Sequence, residues 1–397
     1  MEYFSAADIL IPKKDFEKWA VIACDQYTSE RNYWQDVERI TEGYPSALNI
    51  VLPEVYLKKD NSERINDINE TMLEYLEGDV FEEHKNSMIY VERESNHTIR
   101  RGLVGVIDLE DYDYKKDSDA LIRATEATVL DRIPPRIEIR KNASLEMPHV
   151  ILLFDDPKLS VIEPLKDKKK NFKSAYNFEL MKGGGHIDGW FLDEQTICEV
   201  QNALKRLLES KDDTMLFAVG DGNHSLASAK ECYNLSKNPL ERYALVEIVN
   251  IHDESISFQP IYRVLFNIDE KDFLDSFKIY TDHMGSQNTQ FFEYVSTKKS
   301  GFLEVKSTAK LPIGTLQGFI DRYVSAHPNV KVDYIHGSEV VRKLCKTPNT
   351  LGFLFDGMTK AELFPAISAD GSLPRKTFSM GHAQDKRFYL EARRIKS

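Results

Sequence analysis

At 397 residues the chain exceeds the size at which one core usually stops growing, so two or three closely packed domains are expected. A hydrophobic content of 42% with 11% aromatics excludes a mainly disordered chain. A net charge of −12 opposes nonspecific binding to nucleic acid or to an anionic membrane surface. No apolar run approaches the roughly 20 residues that span a bilayer, and the opening MEYFSAADILIPKKDF lacks the basic and apolar regions of a signal peptide. A cytoplasmic location is the expectation. Cys24, Cys198, Cys232 and Cys345 stand far apart without a C-x-x-C pair, which points to free thiols.

In chain order, WAVIACD reads as a strand ending at Asp25 and NYWQDVERI as the start of a helix. Residues 47–57, interrupted by Pro53, read as a strand followed by a turn. RINDINETMLEYLEGDVFEEH carries Ile65, Ile68, Met72, Leu73 and Leu76 at helical spacing, and MIYVERE and TIRRGLVGVIDL read as paired strands. DYDYKKDSDALIRATEATVLDR leads into a helix or loop. A second region opens at MPHVILLFDDP, followed by the basic DKKKNFKSAYNFE, an expected exposed face or loop. The glycines 183–185 in MKGGGHIDGW are too permissive for an element's interior and imply a loop. It reads either as a flexible turn or as a lid that carries His186 and Asp188 toward a ligand. TICEVQNALKRLLESK is a helix whose inner face is Ile197, Val200, Ala203, Leu204, Leu207 and Leu208. ALVEIVNIHD and FQPIYRVLFN are further strands, and LQGFIDRYVSAH is a helix. The fold class is therefore mixed α/β (α+β). The expected boundaries are 1-145 for an N-terminal α/β region, 146-268 for a central region, 269-337 for an auxiliary region and 338-397 for a segment returning to the core.

The stretch 215–233, MLFAVGDGNHSLASAKECY, reads as a buried strand, a glycine turn and a helix. Gly220 and Gly222 permit the close approach or positive φ of a tight turn, and Asn223 or Ser225 can cap a helix that runs from about Leu226. A helix N-terminus offers N–H donors and a partial positive charge to an anion. Asp221 repels such an anion unless it bridges through a metal, takes a proton or orients a neighbour. His224 adds a polar group with no capping duty, so a plain cap and a functional turn both remain open. RATEATVLDRIPPRIEIRK gathers Arg123, Arg132, Arg136, Arg140 and Lys141 around Glu126. These suit bidentate phosphate contacts or, with Glu126, Asp131 and Glu138, ordinary surface pairs. The tail ADGSLPRKTFSMGHAQDKR sets Arg375, Lys376, Thr377, Ser379 and His382 close together, either to close over a phosphate or as a charged hairpin. A Walker A loop, a G-x-S-x-G elbow and H-x-x-x-H spacing are all absent from the sequence. Mg²⁺ needs only one or two carboxylates plus substrate phosphates, so a lone Asp221 is compatible with it.

GDGNHSLASAK resembles the D-G-x-H motif, usually A-D-G-H-H-R, of the family catalogued as domain of unknown function number one thousand and fifteen. The similarity continues through IACDQYTSE, PSALNIVLPEVYL, RATEATVLDRIPPR, FQPIYRVL and LPRKTFSMGHAQDKRFYLEARRI. The same D-G-H-H-R is found at the phosphate-donor site of ParB/sulfiredoxin-like free serine kinases, a likeness of four or five residues. Here Asn223 stands where His is usual and Ser225 where Arg would hold phosphate, so a cation must come from elsewhere in the chain. The resemblance implies a ParB/sulfiredoxin-like core and a small-molecule phosphotransferase, best represented by a free L-serine kinase making O-phosphoserine from ATP, ADP or pyrophosphate with Mg²⁺. It implies Asp221, His224 and Glu126 as catalytic groups, with Asp221 also on the metal. Gly222, Asn223, Ser225, Arg123, Arg132 and Lys376 would hold phosphate, with Arg123 or Arg132 reaching Asp221 and His224. A noncatalytic sensor of a phosphorylated or acidic ligand is the alternative from another class, while a ParB-like nucleic-acid binder is opposed by the charge. The expected partner is a small-molecule substrate, with no nucleic acid and no membrane; the sequence leaves the oligomeric state open.

Overall fold

Four of the runs read as strands, MIYVERE, TIRRGLVGVIDL, MLFAV and ALVEIVNIHD, meet in a nine-stranded sheet in the computed structural model, which describes residues 3–126, 133–147, 149–381 and 383–396; WAVIACD and FQPIYRVLFN pair in other sheets. In spatial order the strands are Lys173–Leu180, Gly185–Phe191, Ile89–Ser95, Thr98–Asp108, Tyr243–Asn250, Ile151–Phe154, Phe217–Asp221, Ile122–Arg123 and Tyr112–Asp113. Neighbours run antiparallel except where Tyr243–Asn250 meets Ile151–Phe154 and where Ile122–Arg123 meets its two neighbours. The central strands read as continuous apolar runs because both faces are covered. Leu103 faces a core that includes helices Glu194–Glu209 and Asn223–Ser236, while its neighbour Val104 faces helices Arg31–Thr41 and Ser62–Glu77. Burying each such side chain contributes about 1.5–3 kcal/mol.

This sheet belongs to the first of two compact units, made of Met1–Ala124, Thr128–Ile256 and Gly381–Ser397; the second is Thr125–Ala127 with Ser257–Met380. In the second unit the strand order is Ser300–Lys306, Thr289–Ser296, Thr350–Leu354, Phe258–Phe266 and Lys331–His336, with Phe378–Met380 paired to Phe258–Phe266. Its core is aromatic. Phe273, Phe277, Phe292 and Phe353 are fully buried, with the Phe273 and Phe353 rings 5.4 Å apart. The stretch 269-337 thus shares its sheet with strands from 258–266 and 350–354, and only the end of 338-397 lies in the first unit. These long-range pairings leave no local signature from which the units could be cut.

The paired strands Ile89–Ser95 and Thr98–Asp108 and the helix Glu194–Glu209 lie where the periodicity puts them. Residues 47–57 instead form short 3-10 turns, because Ser46 caps Leu48 and Pro53 opens the second turn. The amphipathic helix ends at Glu77, leaving Leu73 exposed, and FEEH joins a strand, Phe81–Ser87, paired with Ala7–Pro12. Of the three glycines, Gly185 opens a strand at φ 86°, where a Cβ would meet Glu94 O at 1.9 Å. His186 Nδ1 lies 2.7 Å from Glu179 Oε1 across that hairpin, and Asn177 hydrogen-bonds Asp188, so these groups serve the hairpin itself. All four cysteines are free. Among the described residues no helix is long and apolar enough to cross a membrane.

Candidate functional site

The strand Phe217–Asp221 is buried through Val219 and ends at a turn that glycine alone fits. Gly222 stands at φ 86°, and a Cβ there would lie 3.0 Å from Val150 Cγ2 and 3.1 Å from Val150 Cα. It leads helix Asn223–Ser236 as its N-cap, and having no side chain it makes no side-chain cap bond. The Asp221 carboxylate folds back on the turn: Oδ1 accepts the Gly222 N–H at 3.0 Å, and Oδ2 lies 3.2 Å from Lys386 Nζ.

Lys386 is held there by the sheet. Arg93, buried on Ile89–Ser95, donates to the carbonyls of Gln384 at 2.5 Å, Asp385 at 3.2 Å and Lys386, and to Gly184 O at 2.9 Å. Its guanidinium lies over the Phe388 ring at 4.9 Å. Arg100 adds a bond to Asp385 O at 2.9 Å, and Asp385 Oδ1 accepts from Ser95 Oγ at 2.8 Å. Burial pushes Arg93 down to about 9, the cost of a guanidinium whose hydrogen bonds go to carbonyls.

A second strand pair delivers the opposite wall. Val21–Ile22 pairs with Phe388–Tyr389, which sets Cys24 and Asp25 beside Tyr389. Tyr389 Oη donates to Cys24 Sγ at 3.0 Å, so its contact with His149 Nδ1 at 2.8 Å takes its proton from the imidazole. His149 Nε2 then lies 3.4 Å from Ser225 Oγ and 3.6 Å from Asp25 Oδ2. Burial works against a charge on His149, but Asp25 first and Asp221 after it outweigh that, and its pKa is raised. Asp25 is held well below the usual carboxylate range: burial opposes this, but His149, the Gln26 amide and Lys386 outweigh it. Burial, with Asp25 adding to it, pushes the Cys24 thiol up to about 12. The result is two carboxylates, two cations and a helix N-terminus around one turn, an arrangement that can take up an anion and handle a proton.

Of the residues expected at the site, Asp221, Gly222, Asn223, His224 and Ser225 sit together on the turn. Arg123 goes elsewhere: it pairs in register with Ala218, and its guanidinium donates to Asp213 Oδ1 at 2.8 Å, Thr214 Oγ1 at 2.9 Å and Ala120 O at 2.9 Å. Arg132 and His382 lie outside the described residues. Glu126 and Lys376 belong to the second unit, where the Lys376 N–H donates to Glu126 Oε1 at 3.0 Å. Asp25, His149, Tyr389 and Lys386 escaped the motif search. Their signals were an acid just past an apolar run, as at Asp221, and a lysine and tyrosine in a charged tail. Among the described residues no group of three or more His, Cys, Asp or Glu could hold a metal ion. Asp221 and Asp25 are the carboxylates available to Mg²⁺, which fits an ion that takes most of its ligands from phosphate and water.

A family model described as Protein of unknown function (DUF1015) matches residues 6–325. No curated protein matches the sequence. Among solved structures, a free serine kinase mutant in complex with ADP is 11% identical, covering 72% of this chain and 90% of its own, with a TM-score of 0.41. A conserved hypothetical protein from Pyrococcus furiosus is 11% identical over 73% of this chain and 94% of its own, with a TM-score of 0.38. SbnI with C-terminal truncation from Staphylococcus aureus is 8% identical over 70% and 82%, with a TM-score of 0.37. Likenesses this distant carry no ligand and no residue role over to this chain.

Proposed function

The chain belongs to the DUF1015 family, and from that premise we propose that it is a small-molecule phosphotransferase whose site is the turn 221–225 with Lys386, Asp25 and His149. The observation that carries this reading is Lys386 Nζ at 3.2 Å from Asp221 beside a glycine-led helix start. It supplies the cation that Ser225, standing where the motif usually has arginine, does not.

Donor phosphates from ATP, ADP or pyrophosphate lie against the N-terminus of Asn223–Ser236, where the helix dipole and the N–H groups favour negative charge. Lys386 and protonated His149 offset the rest. The acceptor hydroxyl oxygen forms the new bond to phosphorus as the bond to the leaving phosphate oxygen breaks, and the electron pair departs on that oxygen. Asp25 orients the hydroxyl and takes its proton late, as suits a carboxylate of low pKa. Asp221 keeps Lys386 in place, and with Asp25 offers the carboxylates that would hold Mg²⁺, whose contribution when bound is to neutralise phosphate charge. His224, on the same turn, joins the set as an expected catalytic group; Arg123 is bonded to Asp213 and Thr214, Glu126 accepts the Lys376 backbone N–H, and the Lys376 ammonium lies over the Tyr334 ring at 5.1 Å, so these three stay outside the set. The motif similarity nominates free L-serine as acceptor.

The test is a phosphorus NMR screen of serine, threonine, glycerol and sugars against the three donors. The expected result is a phosphorylated product that requires both donor and acceptor. Stoichiometric binding in calorimetry with no product over hours would sink the enzyme reading and leave a sensor of phosphorylated or acidic ligands.

A further inference from the structure

A cavity of about 160 Å³ adjoins this site, sharing Ser225 and His149 with it and extending along Met72, Met147 and Leu245. Its charged wall groups are engaged with one another. Arg140 Nη2 donates to Glu146 Oε2 at 2.5 Å, and Glu146 Oε1 takes Arg393 Nε at 2.8 Å and the Leu245 N–H at 2.9 Å. Arg136 is paired with Glu54, and Cys24, Tyr389 and His149 bond one another. What the cavity offers a ligand is therefore mainly apolar wall. One donor stands out: Arg140 Nε is buried without a hydrogen-bond partner among the described residues. An enclosed apolar cavity of similar size takes up molecules such as benzene, and the apolar part of this lining offers a ligand body the same kind of contacts.

We propose that this cavity seats the body of the acceptor, which is a hydroxyl-bearing small molecule with a compact apolar group about the size of a benzene ring. The assignment to an acceptor rests on the phosphotransferase reading. The hydroxyl end meets Ser225 and His149, the apolar group fills the space beside Met72 and Met147, and one acceptor oxygen on the ligand satisfies Arg140 Nε–H. A zwitterion placed against the same walls would bury an ammonium and a carboxylate with little to pair them. The site so shaped prefers an alcohol with a hydrocarbon body to free serine.

The experiment uses benzyl alcohol as probe and the methionine methyl NMR signals of the full chain as reporter. The Met72 and Met147 methyls are expected to shift while those of Met284 and Met358 stay still, and phosphorus NMR with the donors should show benzyl phosphate. Two variants fill the cavity from different walls, Ala143→Leu and Ala229→Met. Each should weaken benzyl alcohol binding by at least about tenfold and leave the response of the 223–225 amides to inorganic phosphate unchanged. Silent Met72 and Met147 methyls at about 10 mM probe, or undiminished binding in a folded variant, overturn the proposal. Phosphorylation of serine with both methyls silent overturns it while sparing the phosphotransferase reading. Binding that the variants abolish, with no product from any donor and acceptor, sinks that reading and with it the cavity's assignment to an acceptor.

Discussion

The two ends of the strand Phe217–Asp221 both carry charge, yet they are wired differently. At the entry end Arg123 answers Asp213, Thr214 and Ala120 O, and nearby His252 Nε2 lies 2.7 Å from Asp155 Oδ1. Asp156 there accepts the backbone N–H groups of Lys158, Ser160 and Val161. These acids and cations are tied to turns and to each other, which holds the sheet edge together. At the exit end Asp221 and Asp25 are answered by Lys386 and His149, set around a helix start led by Gly222. At both ends an added anion would compete with pairs already made. At the exit end those pairs stand around a helix start, whose dipole adds to the two cations. A cluster of arginines in the sequence is thus a poor guide to where phosphate binds, because what matters is where the fold sets each charge.

The sharpest way to break this contrast is Asp221→Asn, which keeps size and removes the charge that holds Lys386. Transfer should fall at least ~100-fold, about 2.7 kcal/mol of barrier, with the circular dichroism spectrum unchanged. A loss under about tenfold would reduce Asp221 to a turn residue.

Next come the two cations. Lys386→Met should lower turnover ~10–100-fold, about 1.4–2.7 kcal/mol, and raise the donor KM more than the acceptor KM. Arg123→Met should instead cost about 1–3 kcal/mol of stability in urea melts, because Asp213, Thr214 and Ala120 O lose their donor. The turnover of its folded fraction should stay within about twofold, under 0.5 kcal/mol. If the two variants trade these phenotypes, the ends of the strand have been assigned the wrong way round.

A smaller effect follows from His149. Its folded pKa is raised above the ordinary 6.5, since Asp25 and Asp221 outweigh burial. The native state therefore holds that proton more tightly than the unfolded chain, so the stabilisation is complete below about 6.5 and is lost as pH rises through the folded value. Wild type should exceed His149→Gln in stability by a margin that shrinks as pH rises above about 6.5. A margin that does not change with pH would falsify the charged imidazole.

The smallest expected change is chemical. Burial raises Cys24 to about 12 and Cys345 to about 11, while Cys198 is exposed. Iodoacetamide at about pH 8 should then label Cys198 well ahead of the other two, since the thiolate is the nucleophile. Early labelling of Cys24 would mean that the Tyr389 and Asp25 surroundings are more open than described.

The local sequence determined the strand, the glycine turn and the helix at 217–236, because apolar runs, a position that tolerates φ 86° and an alanine-rich helix are properties of neighbouring residues. It likewise marked the hairpin 89–108 and the inner face of Glu194–Glu209 by periods of two and 3.6. What only the tertiary structure decided is which cation answers Asp221 and which carboxylate faces His149. Lys386 and Asp25 reach the turn because Val21–Ile22 pairs with Phe388–Tyr389 and because Arg93 pins the carbonyls of 384–386. Pairing between distant strands is set by hydrogen bonds and packing that leave no period in either segment. Lys386 therefore looks in sequence like one more charge in a polar tail, and Arg123 like a phosphate ligand, until the fold assigns each its partner.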